Sequence, residues 1–95
     1  MSLRGAGSRR VFEIEIHDRA RKELERLPAK IARAIADALE VLRTDPFSGP
    51  NVRRLHGELD GMFRLRVGSY RILYEIDGKG RIVLVTTVGA RGQMY

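Results

Sequence analysis

The sequence predicts an α+β domain in which a helical hairpin packs on a small antiparallel sheet, in the order β-α-α-β-β-β. Three observations predict it. Residues 11–16 alternate apolar and charged side chains, the period of a half-buried strand. Residues 18–43 repeat their apolar positions at offsets of three and four, the period of helices with one buried face. Residues 62–88 return to period two and are broken by two turn signals, as in a meander of antiparallel strands. Helices gathered on one side of such a sheet make the class α+β.

Taken in order, Val11-Phe12-Glu13-Ile14-Glu15-Ile16 is the first strand and Asp18 a candidate N-cap for the helix that follows. That helix runs to about Leu27, with Ala20, Leu24 and Leu27 on its apolar side. Pro28 either interrupts it or opens the next helix at its first turn. Ile31, Ala34, Ile35, Ala38, Leu39 and Leu42 then mark a longer amphipathic helix reaching Arg43. Asp45-Pro46-Phe47-Ser48-Gly49-Pro50-Asn51 ends it with dense turn chemistry. Strands follow at 62–67 and 70–76, joined by Gly68-Ser69, and a β-branched run at 81–88 follows the turn Asp77-Gly78-Lys79-Gly80.

Ninety-five residues make one domain, read as 11–95, with 1–10 as a flexible leader that has charge but no apolar stretch. Eighteen Lys and Arg against 12 Asp and Glu leave a formal charge of +6. A polyanionic partner is expected, nucleic acid or an acidic protein. Lysine occurs only at Lys22, Lys30 and Lys79, so the positive charge is mostly guanidinium, the planar fork that suits phosphates. The absence of Cys excludes disulfides and thiol chemistry. No apolar run approaches the roughly 18 residues of a membrane span, and the expected location is the cytoplasm.

No phosphate-binding loop, dinucleotide fingerprint or nucleophile elbow is present. His17 and His56 are the only histidines and lack ligand spacing, so neither a metal site nor a cofactor is expected and both read as surface or loop residues. What remains is arginine on strands. In Phe63-Arg64-Leu65-Arg66-Val67 the period of two puts both arginines on one face. A tight turn at Gly68-Ser69 brings Arg66 beside Arg71 across the hairpin, an unfavourable pairing that an anionic ligand would relieve. Pattern alone leaves open a plain surface on which these arginines pair with Glu58, Asp60 and Glu75. Beyond Val88, Arg91 and Tyr95 would lie near the sheet edge, where an aromatic ring could stack on an unpaired base or pack on the core.

Three blocks, Val52-Arg53-Arg54-Leu55-His56-Gly57, the run from Phe63 to Tyr74, and Val88-Gly89-Ala90-Arg91 to Tyr95, resemble the RelE/ParE family of bacterial toxin–antitoxin toxins. The resemblance covers residues 11–95. It implies a toxin whose RelE-type members cleave mRNA in the ribosomal A site, whereas ParE-type members act on DNA gyrase and lack the cleavage residues. Matched position by position, the cleavage residues fall on Arg64, Arg66, Arg71, Arg91 and Tyr95; Arg53, Arg54, Arg64 and Tyr95 are the expected RNA contacts. The resemblance therefore points to the RelE-like branch, a metal-independent mRNA interferase without a cofactor. Gyrase binding is the alternative, and an inactive relative kept as an antitoxin-binding repressor subunit is a third. Where the ribosomal cleavers carry lysines this chain has Arg64 and Arg66, which hold their protons too tightly for a general base and are expected to clamp phosphate. Expected partners are mRNA in the ribosome and an acidic, partly disordered antitoxin forming a hetero-oligomer with the toxin.

Overall fold

The switch from helical to strand periodicity near residue 50 separates a helical layer from most of a sheet. The computed structural model describes residues 11–90. Its elements are β1 (Glu13–Ile16), α1 (Asp18–Glu25), α2 (Ala29–Leu42), β2 (Val52–Arg54), a 3-10 turn at Gly57–Leu59, β3 (Phe63–Val67), β4 (Tyr70–Asp77) and β5 (Ile82–Ala90). The α+β class is the predicted one, with β2 as an additional edge strand. Strand order is β1-β5-β4-β3-β2. Pairings among β2 to β5 are antiparallel, whereas β1 lies parallel to β5, so the sheet is mixed at that edge.

Local chemistry sets the helix ends. The expected cap at Asp18 falls one residue earlier, because His17 Nδ1 accepts from the Arg19 amide at 3.1 Å. Asp18 is instead the first helical residue, where its charge suits the dipole, and it pairs with Arg21 at 2.8 Å. Pro28, extended at ψ 145, opens α2, with a fixed φ that suits entry into a helix. After α2, the Ser48 hydroxyl and then the Phe47 amide hold the Asp45 carboxyl below its ordinary pKa in an exposed turn.

Ile35, Leu39 and Leu42 of α2 meet Leu65, Ile72, Tyr74, Val83, Val85 and Val88 of the sheet in one core, joined by Phe12 and Ala20. Tyr74 is fully buried and donates its hydroxyl to the Pro46 carbonyl at 2.8 Å. That bond ties the loop after α2 to the sheet centre. Rings extend the contact: Phe63 stacks on Tyr74 at 5.6 Å, and Phe47 meets Phe63 and Phe12 edge-on.

Candidate nucleic-acid interface

Strand register decides which arginines share a surface. Arg53 is the cross-strand partner of Arg64, and Arg66 of Arg71. Partners in register project from the same face, and Arg64 and Arg66 are two residues apart on one strand. Arg53, Arg64, Arg66 and Arg71 therefore occupy one face across β2, β3 and β4. Leu65 and Ile72, which alternate with them, are buried in the core, so the arginines lie on the side away from it. Adjacent strands are about 4.8 Å apart and alternate residues about 6.7 Å apart along a strand, a spacing within reach of one phosphodiester.

The hairpin holds this pattern in place. Gly68 has φ +58 at the first position of the two-residue turn, the conformation a type II′ hairpin needs and one that glycine adopts without strain. Between Arg66 and Arg71, beside Gly68 and Ser69, is a recess of about 110 Å³. Arg64 is half-buried, and its Nε is buried without a hydrogen-bond partner. Among the described residues the ion pairs are Arg21–Asp18, Arg43–Glu40 and His56–Asp60. Neutralisation of Arg64 or Arg66 by Glu58, Asp60 or Glu75, the plain-surface expectation, is not found among them.

One expected RNA-contact residue leaves the group. Arg54 pairs in register with Phe63, so alternation turns it to the face opposite Arg53. The order Arg53-Arg54 does not tell which neighbour faces the other arginines, because three-residue β2 is too short to show a period. Arg91 and Tyr95, like residues 1–10, for which a leader is expected, lie outside the described residues.

The same face changes character toward β1. Register aligns Glu75 with Leu84 and Glu15, and Asp77 with Ile82 and Glu13. Arginines thus occupy one end and carboxylates the other. Between them lies a cleft of about 660 Å³, walled by the start of α1 and by Leu59 and Met62, and floored by Leu73, Leu84 and Thr87. A register shift between Leu73 and Tyr74 makes Thr86 the extra residue of a bulge, with its hydroxyl 3.3 Å from the Leu73 carbonyl. Thr86 and Thr87 consequently both line the cleft. The bulge had a sequence signal: the core valines of β5 are 83, 85 and 88, a period of two that slips by one.

Beyond the end of β1, the exposed edge of β5 is covered by α1, where the Glu23 carboxylate accepts the Val88 amide at 2.8 Å. Such cover blocks edge-to-edge strand addition. Both histidines have plain roles: His17 caps α1, and exposed His56 lies 3.8 Å from Asp60.

The model of the ParE toxin of type II toxin–antitoxin systems, parDE, matches residues 14–95. The chain belongs to that toxin family. It is 34% identical over 86 residues to Toxin RelG of Mycobacterium tuberculosis, covering 88% of this chain and 95% of the relative. Over 86 residues it is also 30% identical to a putative toxin, RelE1, of Methanocaldococcus jannaschii, covering 88% and 94%. Among solved structures, the RelBE2 toxin–antitoxin complex of M. tuberculosis has a chain that superposes with a TM-score of 0.76 at 32% identity, covering 85% of this toxin and 99% of that chain. A chain of the archaeal RelE–RelB complex of Pyrococcus horikoshii gives 0.76 at 26% identity, covering 87% and 98%. The family resemblance drawn from the three sequence blocks is thus established, and the relatives carry RelE-type names. Among the described residues of the toxin, no helix is long and apolar enough to cross a membrane.

Proposed function

We propose that this toxin is a ribosome-dependent endoribonuclease that cleaves mRNA and so inhibits translation. The observation that carries the reading is the group Arg53, Arg64, Arg66 and Arg71 on the sheet face away from the core. In the reaction, a ribose 2′-hydroxyl attacks the adjacent phosphorus as the bond to the 5′-oxygen breaks. The products are a 2′,3′-cyclic phosphate and a 5′-hydroxyl. Charge accumulates on the non-bridging oxygens in the transition state, and fixed donors there stabilise it without reorganisation. Arg71 and Arg66 hold that charge, while Arg64, flanked by Arg53, clamps the neighbouring phosphate as a bidentate fork. Arg91 stabilises the leaving 5′-oxygen by hydrogen bonding while that oxygen takes its proton from solvent or a ribosomal group, and Tyr95 stacks on a base, roles taken from the sequence match.

The guanidinium stays protonated at any physiological pH, so the proton of the 2′-hydroxyl passes to solvent or to a ribosomal group. This accounts for dependence on the ribosome and requires no metal or cofactor. The same arginine face supports a second role for the antitoxin: an acidic, partly disordered chain that folds on the toxin would neutralise it, in a hetero-oligomer. The relatives crystallised as RelBE2 and RelE–RelB complexes support that partnership. Action on mRNA in the ribosome supports a cytoplasmic location.

Purified toxin added to programmed ribosomes, with products mapped by primer extension, tests the reading. Discrete cleavage within the A-site codon is expected. Intact mRNA together with loss of gyrase supercoiling would favour the gyrase alternative.

A further inference from the structure

We infer that the cleft beside the arginines is a nucleobase pocket that selects bases bearing an exocyclic amino group over uracil. The inference rests on the RNA-cleaving reading and assigns the part of the face that the arginines do not occupy.

Three features of the cleft point to a base. It adjoins the arginine rows directly, because Leu73 in its floor is the cross-strand partner of Arg64. Leu73, Leu84 and Met62 supply an apolar lining, which suits the flat face of a base. Glu23 and Glu75 contribute carboxylates to the same cleft, with His17 and Arg19 at its α1 side. The sheet arginines hold the backbone at their end, and the base reaches toward Glu75 on the same strand face. Arg71 and Glu75 are four residues apart on β4, about 13 Å of extended strand.

The polar groups then decide which base fits. An ionised carboxylate only accepts hydrogen bonds. Cytosine, adenine and guanine each offer an amino group, whereas uracil has the O4 acceptor in place of the cytosine amine, which repels a carboxylate and leaves the ring N3–H as its only donor. Glu23 is half-buried and tied through Oε1 to the Val88 amide, whereas Glu75 is exposed, has no ion pair among the described residues, and is the more accessible acceptor. Thr87, next to the bulge, adds a hydroxyl that can turn to donate or accept. Glu75 is therefore the discriminating residue, and Thr87 its supporting partner.

The test uses the full-length toxin and 5′-fluorescein trinucleotides with 2′-O-methyl riboses, which lack the nucleophile and cannot be cleaved. All-uracil probe is compared, by fluorescence anisotropy at low salt, with probes carrying A, C or G at each position in turn. At one position, amino-bearing bases should bind about fivefold to a hundredfold tighter than uracil. Glu75→Gln, whose amide offers both donor and acceptor, should bring that ratio to within about twofold while leaving the melting temperature unchanged. A ratio near one in the parent, a ratio that survives Glu75→Gln, or no measurable binding of any probe would each overturn the inference. Discrimination in binding without ribosomal cleavage would keep the pocket and remove the ribonuclease reading. Cleavage without discrimination would do the reverse.

Discussion

Arg66 and Arg71 stand directly opposite each other across the β3–β4 hairpin, two like charges in register. Directly opposed like charges destabilise a sheet, and pair terms of this kind are roughly 0.2–1 kcal/mol. Arg66→Ala should therefore leave stability unchanged or raise it by a few tenths of a kcal/mol, while cleavage falls. Urea unfolding at low salt checks this. The gain should vanish near 1 M salt, where the screening length is about 3 Å. A marked loss of stability would mean that Arg66 is a structural residue.

Arg53 and Arg54 are adjacent in sequence but face opposite sides of β2. Removing Arg53 should weaken RNA engagement and flatten its salt dependence by about one phosphate contact. Removing Arg54 should do much less to either. Binding to a single-stranded RNA across a salt series separates them, and equal losses would contradict the register assignment.

Tyr74 gives a stability prediction with a pH signature. Tyr74→Phe leaves the Pro46 carbonyl without its donor, a loss of about 1 kcal/mol or somewhat more. Burial, and then the nearby Asp45 charge, raise the phenol pKa well above its ordinary value of 10.0. A raised pKa means that the folded state keeps a proton which the unfolded chain gives up above about pH 10. The contribution is therefore complete below pH 10 and is lost as pH rises through the folded value, at up to about 1.4 kcal/mol per pH unit. The parent should lose stability above pH 10 more steeply than Tyr74→Phe. Parallel slopes in chemical denaturation from pH 9 to 11 would contradict the burial argument.

Glu23→Ala should strip the cover from β5 by removing the acceptor of the Val88 amide. Loss of a charged acceptor from a half-buried amide costs about 1–3 kcal/mol. Hydrogen exchange at Val88 should accelerate, and Glu23→Gln should restore most of the protection. Unchanged exchange in Glu23→Ala would show that α1 covers this edge by packing alone.

Most of the architecture was legible because period is a local property. The switch from i, i+3, i+4 spacing to strict alternation at 62–76 placed both helices and the β3–β4 hairpin, and Gly68-Ser69 defined the register that opposes Arg66 to Arg71. Pairings between distant segments were not legible. Three-residue β2 is too short to alternate visibly, so Arg53 and Arg54 could not be assigned to faces. The parallel partnership of β1 with β5, which brings Glu13 and Glu15 onto the arginine side, has no local signature. The cap at His17 has no propensity signal, because Asp18 is the commoner capping residue, and here geometry prevails over propensity. The acidic half of the face and its cleft emerged only once all five strands were in order.

In the proposed reaction the sheet arginines stabilise the charge of RNA cleavage. Single-turnover cleavage of mRNA on programmed ribosomes, measured for the parent and Arg71→Ala beside thermal unfolding of both, tests it most directly. The parent should cleave at a discrete position, and Arg71→Ala should be slower by about 10²–10³-fold while unfolding within about 0.5 kcal/mol of the parent. Equal cleavage by a folded Arg71→Ala protein would contradict the claim.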